Sequence, residues 1–129
     1  MKKLAVLAMI GLMSVTASAA NWVSLGLAVD GTTVYIDADS ISNSSGYKTA
    51  FIRYDLNRYD AIGFKNYNSV TSLGNFDCKA NPRKSRSLSI VLRNGDQVVL
   101  TSNTKSDWAF IHPDTTADSI AKFVCSSKK

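Results

Sequence analysis

A chain of 129 residues, 45% of them hydrophobic, has room for one folded domain with a real core and no room for several. Its net charge of +5 at pH 7 is too modest to mark a nucleic-acid-binding surface. A single histidine, and ten acidic residues that are all Asp and none Glu, leave acid–base catalysis without its usual side chains.

The chain opens with Lys2 and Lys3, runs into the apolar stretch Leu4 to Leu12, and reaches small residues at Ala17, Ser18, Ala19 and Ala20. These are the three parts of a secretory signal, so residues 1–20 are expected to be a Sec signal peptide cleaved after Ala19 or Ala20, with the working domain over 21–129. The apolar run falls well short of the roughly 20 residues a bilayer requires, so no transmembrane segment is expected after cleavage. Loss of Lys2 and Lys3 lowers the net charge from +5 to +3. No cysteine lies between Met1 and Asn75, which excludes a lipid-modified cysteine at the end of the signal. The expected location is extracytoplasmic: periplasm, medium or outer surface.

Six stretches then read as strands: about Trp22 to Ala28, Thr33 to Asp37, Tyr47 to Leu56, Val70 to Cys78, Ser85 to Leu92, and Gln97 to Ser102. Asp30-Gly31 and the segment Asn43 to Gly46 carry turn chemistry, and short turns between neighbouring strands imply antiparallel hairpins. Asn57 to Asn68 is expected to be a loop, longer than an ordinary hairpin connection. For the last hairpin, the hydrophobic pattern favours a three-residue loop, Arg93-Asn94-Gly95, with Gly95 left-handed. That register sets Ile90 against Val98 and Leu88 against Leu100 on one apolar face.

Thr115 followed three residues on by Asp118 predicts a helix start, and a helix from about Thr116 to Cys125. Ala117, Ile120, Ala121 and Val124 then share one face, with Phe123 and Cys125 on its flanks. Cys78 and Cys125 are the only cysteines, and in an exported protein a lone pair reads as a disulfide, the alternative being two buried thiols. The fold class expected is α+β: an antiparallel sheet of about six strands with one C-terminal helix packed on it, held by one disulfide.

Catalytic, cofactor and metal motifs are missing. There is no phosphate-cradling glycine loop and no nucleophile elbow, and His112, directly before Pro113, reads as structural. Asp37 and Asp39 offer two carboxylates but not the six or more oxygens of a Ca²⁺ site. They read instead as a strand end followed by a short turn or helix capped by Asp39. Two stretches suit partner binding. Lys79, Arg83, Lys84 and Arg86 put four cations within eight residues, and Tyr59, Phe64, Lys65 and Tyr67 mix rings with charge in the long connection.

Trp22, the run TVYIDADSI from Thr33 to Ile41, Asp77-Cys78, the run RKSRSL from Arg83 to Leu88, Gly95, Trp108 and the run FVC from Phe123 to Cys125 together resemble the bacterial surface-adhesin protein E family. The resemblance covers nearly all of the expected mature chain. It implies a small antiparallel sheet with a C-terminal helix and a disulfide, display on a Gram-negative outer surface, and attachment to host extracellular-matrix or plasma proteins. The family's best-known form carries a lipid-anchor cysteine that is absent here. The alternative expectation is therefore a soluble periplasmic protein binding a small ligand or an envelope component.

Overall fold

The computed structural model describes residues 20–128, so nearly all of the expected signal segment lies outside the described residues. Eight strands and one α-helix are found among the described residues: β1 (Trp22–Leu27), β2 (Thr33–Asp37), β3 (Ser42–Ser44), β4 (Tyr47–Ile62), β5 (Lys65–Asp77), β6 (Lys84–Asn94), β7 (Gln97–Ser102), β8 (Ala109–Phe110) and α1 (Thr116–Ser126). They form one antiparallel sheet in the order β1-β2-β4-β5-β6-β7, with β3 added to β4 and β8 to β6. The six expected strands are all present. The two extra ones are only three and two residues long, too short to leave an alternating signature. Between β2 and β3 a one-turn 3-10 helix, Ala38–Ser40, is capped by Asp37, whose carboxylate accepts the Asp39 N–H at 3.2 Å. The expected cap was Asp39. The acceptor must precede the turn whose free N–H groups it satisfies, and Asp37 holds that place.

One face of the sheet is covered by α1. In β2, Val34 and Ile36 are buried while Thr33, Tyr35 and Asp37 between them are not, the period-two pattern of a half-buried strand. Register carries the buried row across the sheet, with Ile36 opposite Ile52 and Ala50 opposite Gly74. Onto this row α1 lays Ile120, Ala121 and Val124, and Ile41, Phe76 and Ile111 complete the core. Ala117, expected on the same helix face, is exposed, because it lines a cleft that opens between α1 and the sheet instead of packing into the core. A Cβ built on Gly74 would meet Ile52 Cδ1 and the Phe76 ring at 2.9 Å, so the core closes there because that position has no side chain. Cys78, just past β5, is joined to Cys125 in the last turn of α1 by a disulfide with Cα atoms 5.7 Å apart.

Two connections depart from the sequence pattern. The β6–β7 hairpin closes at Asn94 and Gln97 around the two residues Gly95 and Asp96, not around a three-residue loop, although Gly95 is left-handed as expected with φ +59°. A register shift between Leu92 and Arg93 then sets Leu92 opposite Leu100 and Ile90 opposite Ser102, so the expected pairs Ile90–Val98 and Leu88–Leu100 do not form. Leu88 itself falls in a second shift, where Ser89 and Ser87 oppose consecutive residues of β5. A bulge on either strand inserts one residue and exchanges faces, which unbroken alternation cannot anticipate.

The second departure is larger. Asn57 to Asn68 is not a loop: after an irregularity between Asp55 and Asp60, β4 and β5 pair again as a ribbon, with Asp60 opposite Tyr67 and Ile62 opposite Lys65. Gly63 and Phe64 make the turn. Its first central residue, Gly63, has φ +59°, the conformation that a two-residue hairpin turn beginning with glycine requires. β2 pairs with β4 only as far as Asp55, and β6 pairs with β5 only from Ser69, so the ribbon projects past its neighbours as an arm.

Candidate functional site

The arm collects four of the expected binding residues. Tyr59 is 60% exposed, Ile62 41%, and Phe64 at the turn is fully exposed, with Arg58 and Lys65 beside them also exposed. Tyr67 is different: it is half-buried and faces Asp60 across the ribbon. Burial, and after it the neighbouring Asp60 carboxylate, raise its phenol above the ordinary tyrosine value. Tyr67 therefore belongs to the ribbon's own structure, and Tyr59, Phe64 and Lys65 form its free surface. At its base the arm meets the β1–β2 turn. Gly31, at φ +85°, lies so close to Asn57 that an added Cβ would fall 2.5 Å from Asn57 Nδ2.

The cationic run does not stay together. Lys79 is exposed in the turn after β5. Arg83 is half-buried near the start of α1; its carbonyl accepts the Ile111 N–H at 2.8 Å. Asp118 in the first turn of α1 is held below the ordinary carboxylate range by the Asp114 N–H it accepts at 3.1 Å, then by Lys122 and Arg83. Lys84 and Arg86 sit two residues apart in β6, opposite Asp77 and Asn75, on the face away from the helix. Arg86 is committed there. Its Nε donates to Oδ1 of Asn75, a residue only 3% exposed, at 3.0 Å, and its guanidinium lies 4.4 Å from the centre of the Trp108 ring. Trp108 in turn tilts against Tyr47, ring centres 5.0 Å apart. The sequence expectation for Arg86 was a partner-binding cation in a basic run. The structure makes it the link between a buried amide and an aromatic pair, and its removal leaves Asn75 short of a donor.

A second arginine cluster on this open face escaped sequence reasoning. Arg53 lies 4.3 Å from the Tyr35 ring centre and 4.8 Å from that of Trp22, a cation held by two aromatic faces. Its Nη2 donates to Asp55 Oδ2 at 3.2 Å; its buried Nε is 3.2 Å from Oδ1 but is not aligned for a hydrogen bond. Trp22 and Arg53 are 31 positions apart, and only the β1-β2-β4 order brings them together.

On the covered face, a cleft of about 250 Å³ opens between α1 and the sheet, lined among others by Tyr54, Ser72, Phe76 and Ile120. Burial raises the Tyr54 phenol above its ordinary value. Among the described residues there is no group of three or more His, Cys or Asp side chains placed to hold a metal, and no helix long and apolar enough to cross a membrane. The candidate site is thus the arm and the open face beside it, which gather rings, guanidinium groups and exposed strand surface.

No curated protein matches the chain. The family of surface-adhesin protein E matches it over residues 22–126, from the first residue of β1 to the last of α1. That span takes in the whole sheet, the disulfide and the arm, and with it the chain belongs to the surface-adhesin protein E family, a family of adhesin-like surface proteins.

Proposed function

We propose that this is an exported adhesin-like protein that binds host extracellular-matrix or plasma proteins, with the β4–β5 arm as its principal contact. The observation that carries this reading is Phe64, fully exposed at the turn of a ribbon that projects beyond the sheet, with Tyr59 and Ile62 exposed behind it. Turn positions ordinarily take small or polar residues, and a ring there contributes nothing to the core. An aromatic anchor that enters a pocket on a partner accounts for it. Arg58 and Lys65 on the arm and Lys79 in the turn after β5 supply long-range attraction to an acidic partner. The rings supply the contact that resists dissociation. Export through the N-terminal signal fits this role.

The test is binding kinetics of the exported chain over a panel of purified matrix and plasma proteins at two salt concentrations, beside a Tyr59→Ala/Phe64→Ala double variant. The expected result is saturable binding to at least one protein, with association slowed by salt and dissociation accelerated in the double variant. Binding by the double variant with unchanged kinetics removes the arm from the function. Absence of binding across the panel removes the function itself.

A further inference from the structure

The open face also carries a groove of about 500 Å³, beside the base of the arm and independent of its tip. Register builds its floor. Tyr35, Arg53, Thr71 and Val91 lie in one row across the sheet, and Asp55, Ser69 and Arg93 lie in the next. Trp22 stands on the β1 side, and the Gly95–Asp96 turn on the β6–β7 side. The charges in this groove are not all matched. Arg53 is neutralised by Asp55, and Asp55 is further fixed by accepting the Ser69 hydroxyl at 3.2 Å. The Arg93 side chain, half-buried in the groove wall, makes no hydrogen bond or ion pair among the described residues, and neither does the side chain of Asp96, which is exposed. One fixed ion pair, one idle guanidinium, one idle carboxylate, a threonine hydroxyl and an indole wall remain to meet a ligand.

We infer that this groove binds an acidic saccharide, a sugar unit bearing a single carboxylate. The planar fork of Arg93 matches a carboxylate by two parallel hydrogen bonds. The indole of Trp22 offers an apolar surface to the C–H face of a pyranose ring. Asp55 and Asp96 accept from sugar hydroxyls, and Thr71 donates or accepts. The two carboxylates of the lining balance its two guanidinium groups, so a densely charged ligand such as a phosphate or a heavily sulfated chain meets no net positive charge, whereas one negative charge among many hydroxyl donors complements the mixed lining. A free amino acid also pairs with Arg93 and Asp96, but it leaves most of an open groove this size unfilled. This site does not rest on the arm, and neither reading fails with the other.

The test is an amide-shift NMR titration of the exported chain with four probes: a glucuronate-terminated disaccharide, the matched neutral glucose disaccharide, inorganic sulfate and glycine. The expected result is saturable shifts at Trp22, Thr71 and Arg93 with the uronate. Affinity for the neutral sugar should be about tenfold weaker or more, the effect of losing a charge-assisted hydrogen bond. Arg93→Gln should abolish that preference, and Arg93→Lys, which keeps the charge and loses the fork, should retain only part of it. Lys105→Gln, exposed and outside the groove, should change nothing. Equal affinity for the acidic and neutral sugars overturns the inference, as does sulfate or glycine reproducing the uronate shifts at equal concentration, or no shift with any sugar. Should Arg93→Gln fail to fold, an Arg93→Lys variant indistinguishable from the parent overturns it equally.

Discussion

β4 is one strand with two lives. From Tyr47 to Leu56 it runs through the middle of the sheet, buries Ala50 and Ile52 under α1, and is paired on both sides. From Asn57 to Ile62 every residue is exposed, and β5 is its one pairing strand, from Asp60 onward. In the first half, the sequence is explained by burial and register. In the second half those constraints are absent, and a two-stranded ribbon alone in water is marginal at best. Apolar residues that persist where they stabilise nothing are the ones that need a partner to explain them.

The contrast can be broken hardest from the body side. Replacing Cys78 and Cys125 by Ser opens a loop with a sequence separation of 47, which on the chain-entropy account costs about 4 kcal/mol. Val124→Ala, at a fully buried site, should cost about 2–5 kcal/mol. Denaturant unfolding under oxidising conditions measures both. Gly74→Ala should cost about 1–3 kcal/mol by overpacking against Ile52 and Phe76 in the same assay, and an unchanged midpoint would mean that the core is looser than it looks.

Smaller effects sharpen the comparison. Asp118 has a folded-state pKa below its ordinary 3.8, so its contribution to stability is fully present above that value and is lost as pH falls through the lowered one. Asp118→Asn should therefore lower the melting temperature slightly at neutral pH, with variant and parent converging as pH falls below about 4, so that the acid limb of the variant's profile is flatter. At the arm the expected change in stability is the smallest of all. Phe64→Ala should stay within about 0.5 kcal/mol of the parent in a thermal melt, while its dissociation from a bound matrix or plasma protein accelerates.

Much of the body was legible in the sequence because its signals are local. Val34 and Ile36 alternate with polar neighbours, and Thr115 caps α1 by accepting the Asp118 N–H at 3.2 Å, as its position three residues upstream implies. Asp118 reaches back in return, though to the N–H of Asp114 and not of Thr115. The cysteine pair needed only counting. The arm was not legible, because a ribbon that buries neither face against the core need not alternate, and NRYDAIGFKNYN between Asn57 and Asn68 carries the polar residues and glycine of a loop. Nor were the arginine clusters. Arg53 meets Trp22 and Tyr35 through strand order, and Arg86 leaves the cationic run of the turn for Asn75 and Trp108 through strand register. The rings expected to bind were found by composition; their common presentation on a projecting hairpin is a property of the fold.

The division between a body that stabilises and an arm that binds is tested most directly by hydrogen–deuterium exchange on the exported chain, free and saturated with whichever matrix or plasma protein it binds most tightly. The account predicts that the free protein protects β4 amides from Ala50 to Tyr54 far more strongly than those from Asn57 to Ile62, and that the partner slows exchange chiefly between Asn57 and Asn68. A footprint confined to α1 and the cleft beneath it, with the arm exchanging as fast bound as free, would contradict it.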